Sequence, residues 1–390
     1  MFPSAPLLLL ILVSLTAHVA LAGSRITTSL YALSLHATEL TVGTLIALFS
    51  LFPMLFAVPT GRLVDRIGIA RPMLGGCAAM LVGCALPGMV SGLSILYLAT
   101  MLIGTGFMAV QVAAQHTVGA MSAPEQRATN YSWLALGFSI SGFFGPVLAG
   151  LIIDHAQYNT AFAFFGAFAF AAMALTAHRR LKHIHTMPQE EHAVSRSALD
   201  LLRDLDMRRI YFVGILLSSA WDLFTFVLPI HGTRLGFSAS TIGLILGCFS
   251  AATFIVRLAM PWISRRLTEW QVLASALILA AVCYAIFPFL RQPLTLMIVA
   301  ATLGVAVGSS QPNMLALLHH ASPAGRAAEA VGIRVTMGNA CQVILPLAFG
   351  GAGVALGLHA VFWSMTVMIG AGIPVAWRKS ARTGRDVLES

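Results

Sequence analysis

The sequence predicts an all-α membrane protein, with twelve transmembrane helices in two pseudo-symmetric six-helix bundles. Composition is the first reason: 58% of the 390 residues are hydrophobic and 9% are charged, against about 25% charged residues in a soluble domain. The second is the length of the apolar runs, because a helix needs about 20 residues to cross a bilayer core. The third is an internal repeat at an offset of 200 residues, in which "TVGTLIALFS" (41–50) aligns with "TIGLILGCFS" (241–250).

Twelve apolar runs cover residues 6–32, 40–60, 72–90, 94–118, 130–153, 159–178, 210–232, 240–262, 271–290, 294–318, 328–352 and 357–377. Runs of this length are too long for barrel strands. A backbone in lipid must also satisfy its own hydrogen bonds, which makes them helices. The first run imitates a signal peptide, since "LLLLILVSL" is followed by Ala20 and Ala22 in a cleavage-like spacing. However, "MFPS" carries no Lys or Arg and the apolar pattern continues to Leu33, so an uncleaved first span is expected. The longest polar stretch, 179–209, separates six spans from six. The expected organisation is an N-terminal bundle (1–178), a cytoplasmic linker (179–209) ending in a short surface helix at "LRDLDMRR", a C-terminal bundle (210–378) and a cytoplasmic tail (379–390).

The net charge of +9 orients the chain and calls for no nucleic-acid partner. With the N-terminus inside, only Arg234 and Arg291 of the 23 Lys and Arg fall outside, and Arg25, Arg257 and Arg334 fall within spans. All others are cytoplasmic, which is the positive-inside pattern and puts both termini in the cytoplasm. The five cysteines (Cys77, Cys84, Cys248, Cys283, Cys341) show no CxxC spacing and are expected as small apolar packers. His178 at the edge of the linker and His183, His185 and His192 within it match no metal-ligand spacing. A solvated basic loop is expected there, with no metal and no cofactor.

The repeat extends beyond one segment. The same offset pairs Asp65-Arg66 with Arg265-Arg266, Gly104 with Gly304, Gln111 with Gln311, Ser122 with Ser322, Pro146 with Pro346 and Gly150 with Gly350. Parallel duplication of a six-helix unit is a signature of transporters that work by alternating access.

Two motifs sharpen this reading. The loop after the second span is "GRLVDRIGIARP" (61–72). Gly61 is expected to let the helix end approach a neighbour, Asp65 to meet a helix N-terminus or a basic group, and Arg62, Arg66 and Arg71 to hold the loop at the cytoplasmic face. This loop closely resembles the major facilitator superfamily motif G-x-x-x-D-R-x-G-x-basic-basic. Gly61, Asp65, Arg66, Gly68 and Arg71 match, and Ala70 departs from it. "PWISRRL" (261–267) is a weakened echo without the acid. The resemblance implies a cytoplasmic latch, with Asp65 meeting the start of the eleventh span near Arg326; otherwise the loop only sets topology.

In the fifth span, Gly137, Ser141, Gly145 and Ala149 form one stripe of small residues, and Gly142, Pro146 and Gly150 form a second. Such stripes let helices approach closely in lipid. The core Gly145-Pro146-x-x-Ala149-Gly150 resembles the antiporter motif of the same family, which implies export; a packing ridge without directional meaning is the alternative. Many proton-coupled exporters of this family carry an arginine about four residues before a glycine pair like Gly104 and Gly106. Thr100 stands there, so the proton-linked arginine does not carry over.

Charge inside a span costs about 2.5–3.5 kcal/mol at a helix centre, which makes every such residue a candidate. Asp222 lies about 18 Å along the seventh span, and its repeat position is Ala22, three residues before Arg25. Because first and seventh spans line the cavity in the family, Arg25 and Asp222 are expected to pair across it. Arg334 is a second cavity cation. Gln111, Gln115 and His116 on the fourth span, Gln311 and Asn313 on the tenth, and Tyr31 complete the expected set, to which His18 and Trp133 can contribute. Other readings stay open. Arg25 and Arg257 can extend toward an interface, His18 and His116 can be packed histidines, and Asp222 is either a structural ion pair or a titratable coupling group.

The expected function is secondary transport of a small organic solute by a single chain in the bacterial inner membrane, outward, with protons as the candidate counter-ion. The alternative is uptake of a carboxylate-bearing metabolite. A membrane enzyme has no HExxH, CxxC or GxSxG to stand on, and a receptor has no appended sensory domain.

Overall fold

The computed structural model describes residues 5–121, 127–178, 199–323 and 326–386. All regular elements among them are helical, and twelve helices are long and apolar enough to cross a membrane. In chain order these are α1 (Ala5–Ser34), α2 (Glu39–Ile67), α3 (Ala70–Met89), α4 (Leu93–Met121), α5 (Arg127–His155), α6 (Tyr158–Thr176), α7 (Leu205–Arg234), α8 (Ala239–Ile263), α9 (Glu269–Ile286), α10 (Pro293–Ala321) and α11 (Ala327–Leu356). The twelfth span runs over α12 (Leu358–Gly370) and α13 (Ile373–Asp386). It breaks at Ala371-Gly372, between two glycines and just before Pro374, where the chain is least able to continue one helix. The surface helix expected before the seventh span is a single turn, Leu199–Arg203. Asp204 then accepts the Asp206 and Met207 N–H groups, each at 2.8 Å, and starts α7. His183, His185 and His192 lie outside the described residues.

The helix ends follow local chemistry. Thr38 caps α2, accepting the Thr41 N–H at 3.3 Å, and Glu39 occupies the first turn beside the helix dipole. Gly68 ends the same helix at φ 78°, with its N–H on the Val64 carbonyl. An L side chain is disfavoured at that angle, which explains the glycine of the loop motif. Thr268 and Gln271 cap each other's N–H groups in a capping box at the head of α9.

Two compact units emerge from the packing: Met1–His192 with Gly232–Gly247, and Ala193–His231 with Cys248–Ser390. In the first, α3 packs on α4 and α6, α1 on α5 and α6, and α2 on α4. Glycine brings backbones together there. A Cβ at Gly76 would lie 2.5 Å from the Gly106 carbonyl oxygen, and one at Gly104 would collide with the Phe49 carbonyl. In the second unit α9 is central, against α10, α12 and α13. Tyr284, fully buried on α9, donates its hydroxyl to the Ala220 carbonyl on α7 at 2.5 Å, so its polar end is satisfied inside the packing.

Candidate functional site

The second unit contains a polar cavity of about 280 Å³. On α7, Gly214, Ser218, Trp221 and Asp222 recur at helical spacing along one face that lines it. From α8 comes Arg257, from α10 Ser310 and Gln311, and from α11 Arg334, Gly338, Asn339 and Gln342. Asp222 is 5% exposed. The guanidinium of Arg257 donates through Nη2 to Gln311 Oε1 at 2.8 Å. Its Cζ lies 5.9 Å from the Trp221 ring centroid, within cation–π range. Trp221 in turn meets Phe249 edge to face, with centroids 4.8 Å apart. Gln311 and Trp221 thus hold Arg257 at this wall. Arg334 differs: its Nε is buried and has no hydrogen-bond partner among the described residues.

Three of the expected site residues, Asp222, Arg334 and Gln311, are brought together here. Asn313 is not in the lining. It stands two residues from Gln311, about 200° around the helix, and donates to the Ser309 carbonyl at 2.7 Å. Trp221, Asn339 and Gln342 were not anticipated. A signal for the last two existed, since positions 334, 335, 338, 339 and 342 follow helical periodicity.

The first unit holds the other candidates. Arg25 is half-buried on α1; Gln111 and His116 are half-buried and Gln115 exposed on α4. Tyr31 is a packed aromatic, stacked on Tyr158 at 5.0 Å. His18 shares a 2.5 Å hydrogen bond between Nδ1 and Ser141 Oγ and sits against Phe107 and Phe138. Trp133, read as a possible contributor, is half-buried at the beginning of the fifth span.

The two small-residue stripes of α5 meet different helices. One faces α1: Gly137 lies over Leu15 and Ile11, Ser141 bonds His18, and a Cβ at Gly145 would come within 2.7 Å of Ala22 Cβ. The other faces the first turns of α8, where Gly150 meets the Ala239 carbonyl and Gly243 meets the Pro146 carbonyl. Asp154, one turn beyond Gly150, accepts the Ala239 N–H at 3.0 Å and the Ser240 N–H at 2.8 Å. A carboxylate on the first N–H groups of a helix is a strong cap. Arg234 and Glu39 form an ion pair in the same unit.

In the loop motif, Arg62, Arg66 and Arg71 are exposed, and the Asp65 side chain lies outside the described residues. Among the described residues, a Cβ at Gly61 would meet Val112 Cγ1 at 4.0 Å. Arg326 pairs with Glu329, Nε to Oε2 at 2.6 Å and Nη2 to Oε1 at 2.8 Å, and this carboxylate raises the guanidinium pKa further.

Twelve spanning helices, a duplicated half and a polar cavity between helices define a polytopic membrane transporter. The Major Facilitator Superfamily model matches residues 8–346, and matches a second time over 210–388, and the chain belongs to that superfamily. Multidrug resistance protein 2 of Bacillus subtilis (strain 168) is 21% identical over 360 residues, 88% of each chain. Tetracycline resistance protein, class B, of Escherichia coli is 26% identical over 329 residues, 79% of this chain and 77% of the relative. Efflux pump azaK of Aspergillus niger is 25% identical over 290 residues, 70% of this chain and 58% of the pump. Among solved structures, the peptide transporter POT in complex with sulfate superposes with a TM-score of 0.77 at 13% identity, covering 97% of this chain and 94% of that one. A variant of the nucleoside transporter NupG gives 0.76 at 12% identity, covering 96% and 98%. These structural likenesses concern the fold. The expected family and the twelve-helix fold are both borne out.

Proposed function

We propose that the protein is a secondary active exporter that moves a small organic solute out of the cell by alternating access, in exchange for protons. The observation that carries this reading is the cavity, where Asp222, Arg257, Arg334 and Gln311 converge inside a membrane-spanning unit. Intramembrane charge of this density marks a substrate or ion path. Asp222 is the carboxylate that takes the proton, since Thr100 occupies the position where the family's proton-linked arginine stands. The Arg-rich loops keep both termini on the cytoplasmic side of a bacterial inner membrane, and one chain is the working unit. The loop motif around Asp65 and Arg66 serves as a cytoplasmic latch. Multidrug and tetracycline resistance in the relatives supports the outward direction.

The test has two stages. Solutes that raise the unfolding midpoint of the purified protein are identified first, then assayed in proteoliposomes for counterflow and for movement driven by a pH gradient. Asp222→Asn is expected to lose the pH drive, with whatever counterflow remains indifferent to the pH gradient. Wild-type pH-driven transport in that variant would remove Asp222 from the mechanism, and the absence of counterflow for every stabilising solute would overturn transport itself.

A further inference from the structure

The cavity carries both signs of charge on separate helices: Asp222 on α7, Arg257 on α8 and Arg334 on α11. We infer that its substrate is amphoteric: an aromatic or similarly flat organic molecule bearing both a carboxylate and a protonated nitrogen. The inference rests on the transport reading above and names the substrate class of the same cavity.

The two arginines are not equivalent. Arg257 is built into the wall, bonded to Gln311 and lying over Trp221. The buried Nε of Arg334, by contrast, has no hydrogen-bond partner among the described residues. A guanidinium offers a planar fork that a carboxylate fills with two parallel hydrogen bonds, so the acid end of a ligand belongs at Arg334. Asp222 lines the same cavity and receives the cationic end. Trp221, held by Phe249 on one side, lends aromatic surface to the same lining. At about 280 Å³ the space lies near the lower limit of ligand pockets, about 300–1,000 Å³, which suits a molecule the size of an aromatic amino acid.

Charge balance narrows the class. With Asp222 ionised, the lining holds two cations and one anion. A simple cation would meet net positive charge, whereas a monoanion would neutralise it, so charge alone admits a monoanion as well as an amphoteric molecule. An amphoteric molecule pairs each of its charges and leaves the balance unchanged.

Exchange, on the proton-coupled reading above, separates these two. In a proton-driven exporter the proton and the solute must exclude one another. A protonated nitrogen competes with the proton for Asp222 directly. A purely anionic solute would bind better once Asp222 is neutral, and so would travel with the proton instead of against it.

The experiment compares three indoles on the purified full-length protein by thermal unfolding: L-tryptophan with both charges, indole-3-propionate without the nitrogen, and tryptamine without the carboxylate. Tryptophan is expected to raise the midpoint most, at least threefold more than either one-charge probe at equal concentration. Arg334→Gln should reduce tryptophan to the level of tryptamine, and Asp222→Asn to the level of indole-3-propionate. Arg334→Lys keeps the charge and loses the fork, so it guards against misfolding of the Gln variant; about a tenfold weaker tryptophan affinity is expected. Equal stabilisation by a one-charge probe, stabilisation by inorganic phosphate alone, or none by tryptophan overturns the assignment. Counterflow of radiolabelled tryptophan in proteoliposomes separates the two readings. Binding without exchange sinks transport and leaves the ligand class standing; exchange of a one-charge indole with none of tryptophan does the reverse.

Discussion

The halves of this chain, 200 residues apart, agree in how they are built and differ in what they contain. Thr38 and Ser238 cap α2 and α8 in the same way, accepting the N–H of Thr41 at 3.3 Å and of Thr241 at 3.2 Å. Gly104 meets the Phe49 carbonyl, and Gly304 the Phe249 carbonyl. Gln157 (φ 123°) and Gly357 (φ 82°) turn α5 into α6 and α11 into α12 in the left-handed region. The charges do not follow the repeat. Trp221, Asp222, Arg257 and Arg334 stand where the first half has Leu21, Ala22, Ala57 and Leu134. Duplication has therefore preserved turns and backbone contacts, which any helix bundle needs, while the charges of this cavity are particular to the second half.

The contrast extends to the glycines of α5 and α11. Gly145 and Gly150 touch neighbours so closely that a Cβ would not fit, whereas Gly332, Gly338 and Gly351 have open space beside them among the described residues. One helix uses its small residues to pack, and the other uses at least Gly338 to leave room in the cavity.

The sharpest way to break the comparison is at the shared backbone contacts. Gly104→Leu and Gly304→Leu should each destabilise the protein by about 3 kcal/mol or more, since both drive a side chain into a carbonyl. Chemical denaturation reads this, and a large loss in only one half would mean that the duplicated geometry is not duplicated energetics. Next come the charges. Arg257→Gln removes the hold on Gln311 and Trp221 and should lower counterflow about tenfold, the order expected for a charge-assisted hydrogen bond; Ala57→Gln, at the aligned position, should stay within about twofold. Smaller still are the caps. Thr38→Ala and Ser238→Ala are each expected to cost about 1 kcal/mol, and similar losses in the two would show that the repeated cap contributes equally. Gly338→Ala should change stability by less than about 0.5 kcal/mol while narrowing the cavity, visible as a shift in which solutes stabilise the protein.

How much of this could be read in advance follows the same division. Spans, caps and the repeat are local signals: apolar length, a Thr or Ser before a run, a glycine where φ is positive. The break in the twelfth span has its signals in Gly370, Gly372 and Pro374, but the continuous apolar run 357–377 covers them. The cavity is different because its contacts are distant in sequence. Arg257 lies near a helix end, where extension to the interface is the ordinary outcome, and its partner Gln311 is on another helix. Trp221 reads as one more apolar residue until Arg257 is found over its ring. Gln311 and Asn313 look like a pair in sequence, and only helical geometry separates them.

The meeting of Gly104 with the Phe49 carbonyl, and of Gly304 with that of Phe249, also has a genetic consequence. Every amino acid presents the same carbonyl, so substitutions at Phe49 or Phe249 cannot make space for a bulkier residue opposite. Revertants of a Gly104 or Gly304 variant should therefore restore a glycine at the original site or arise at remote positions that stabilise the fold as a whole. Compensating changes at the touching residue should be absent. These two positions leave evolution with no local bargain to strike.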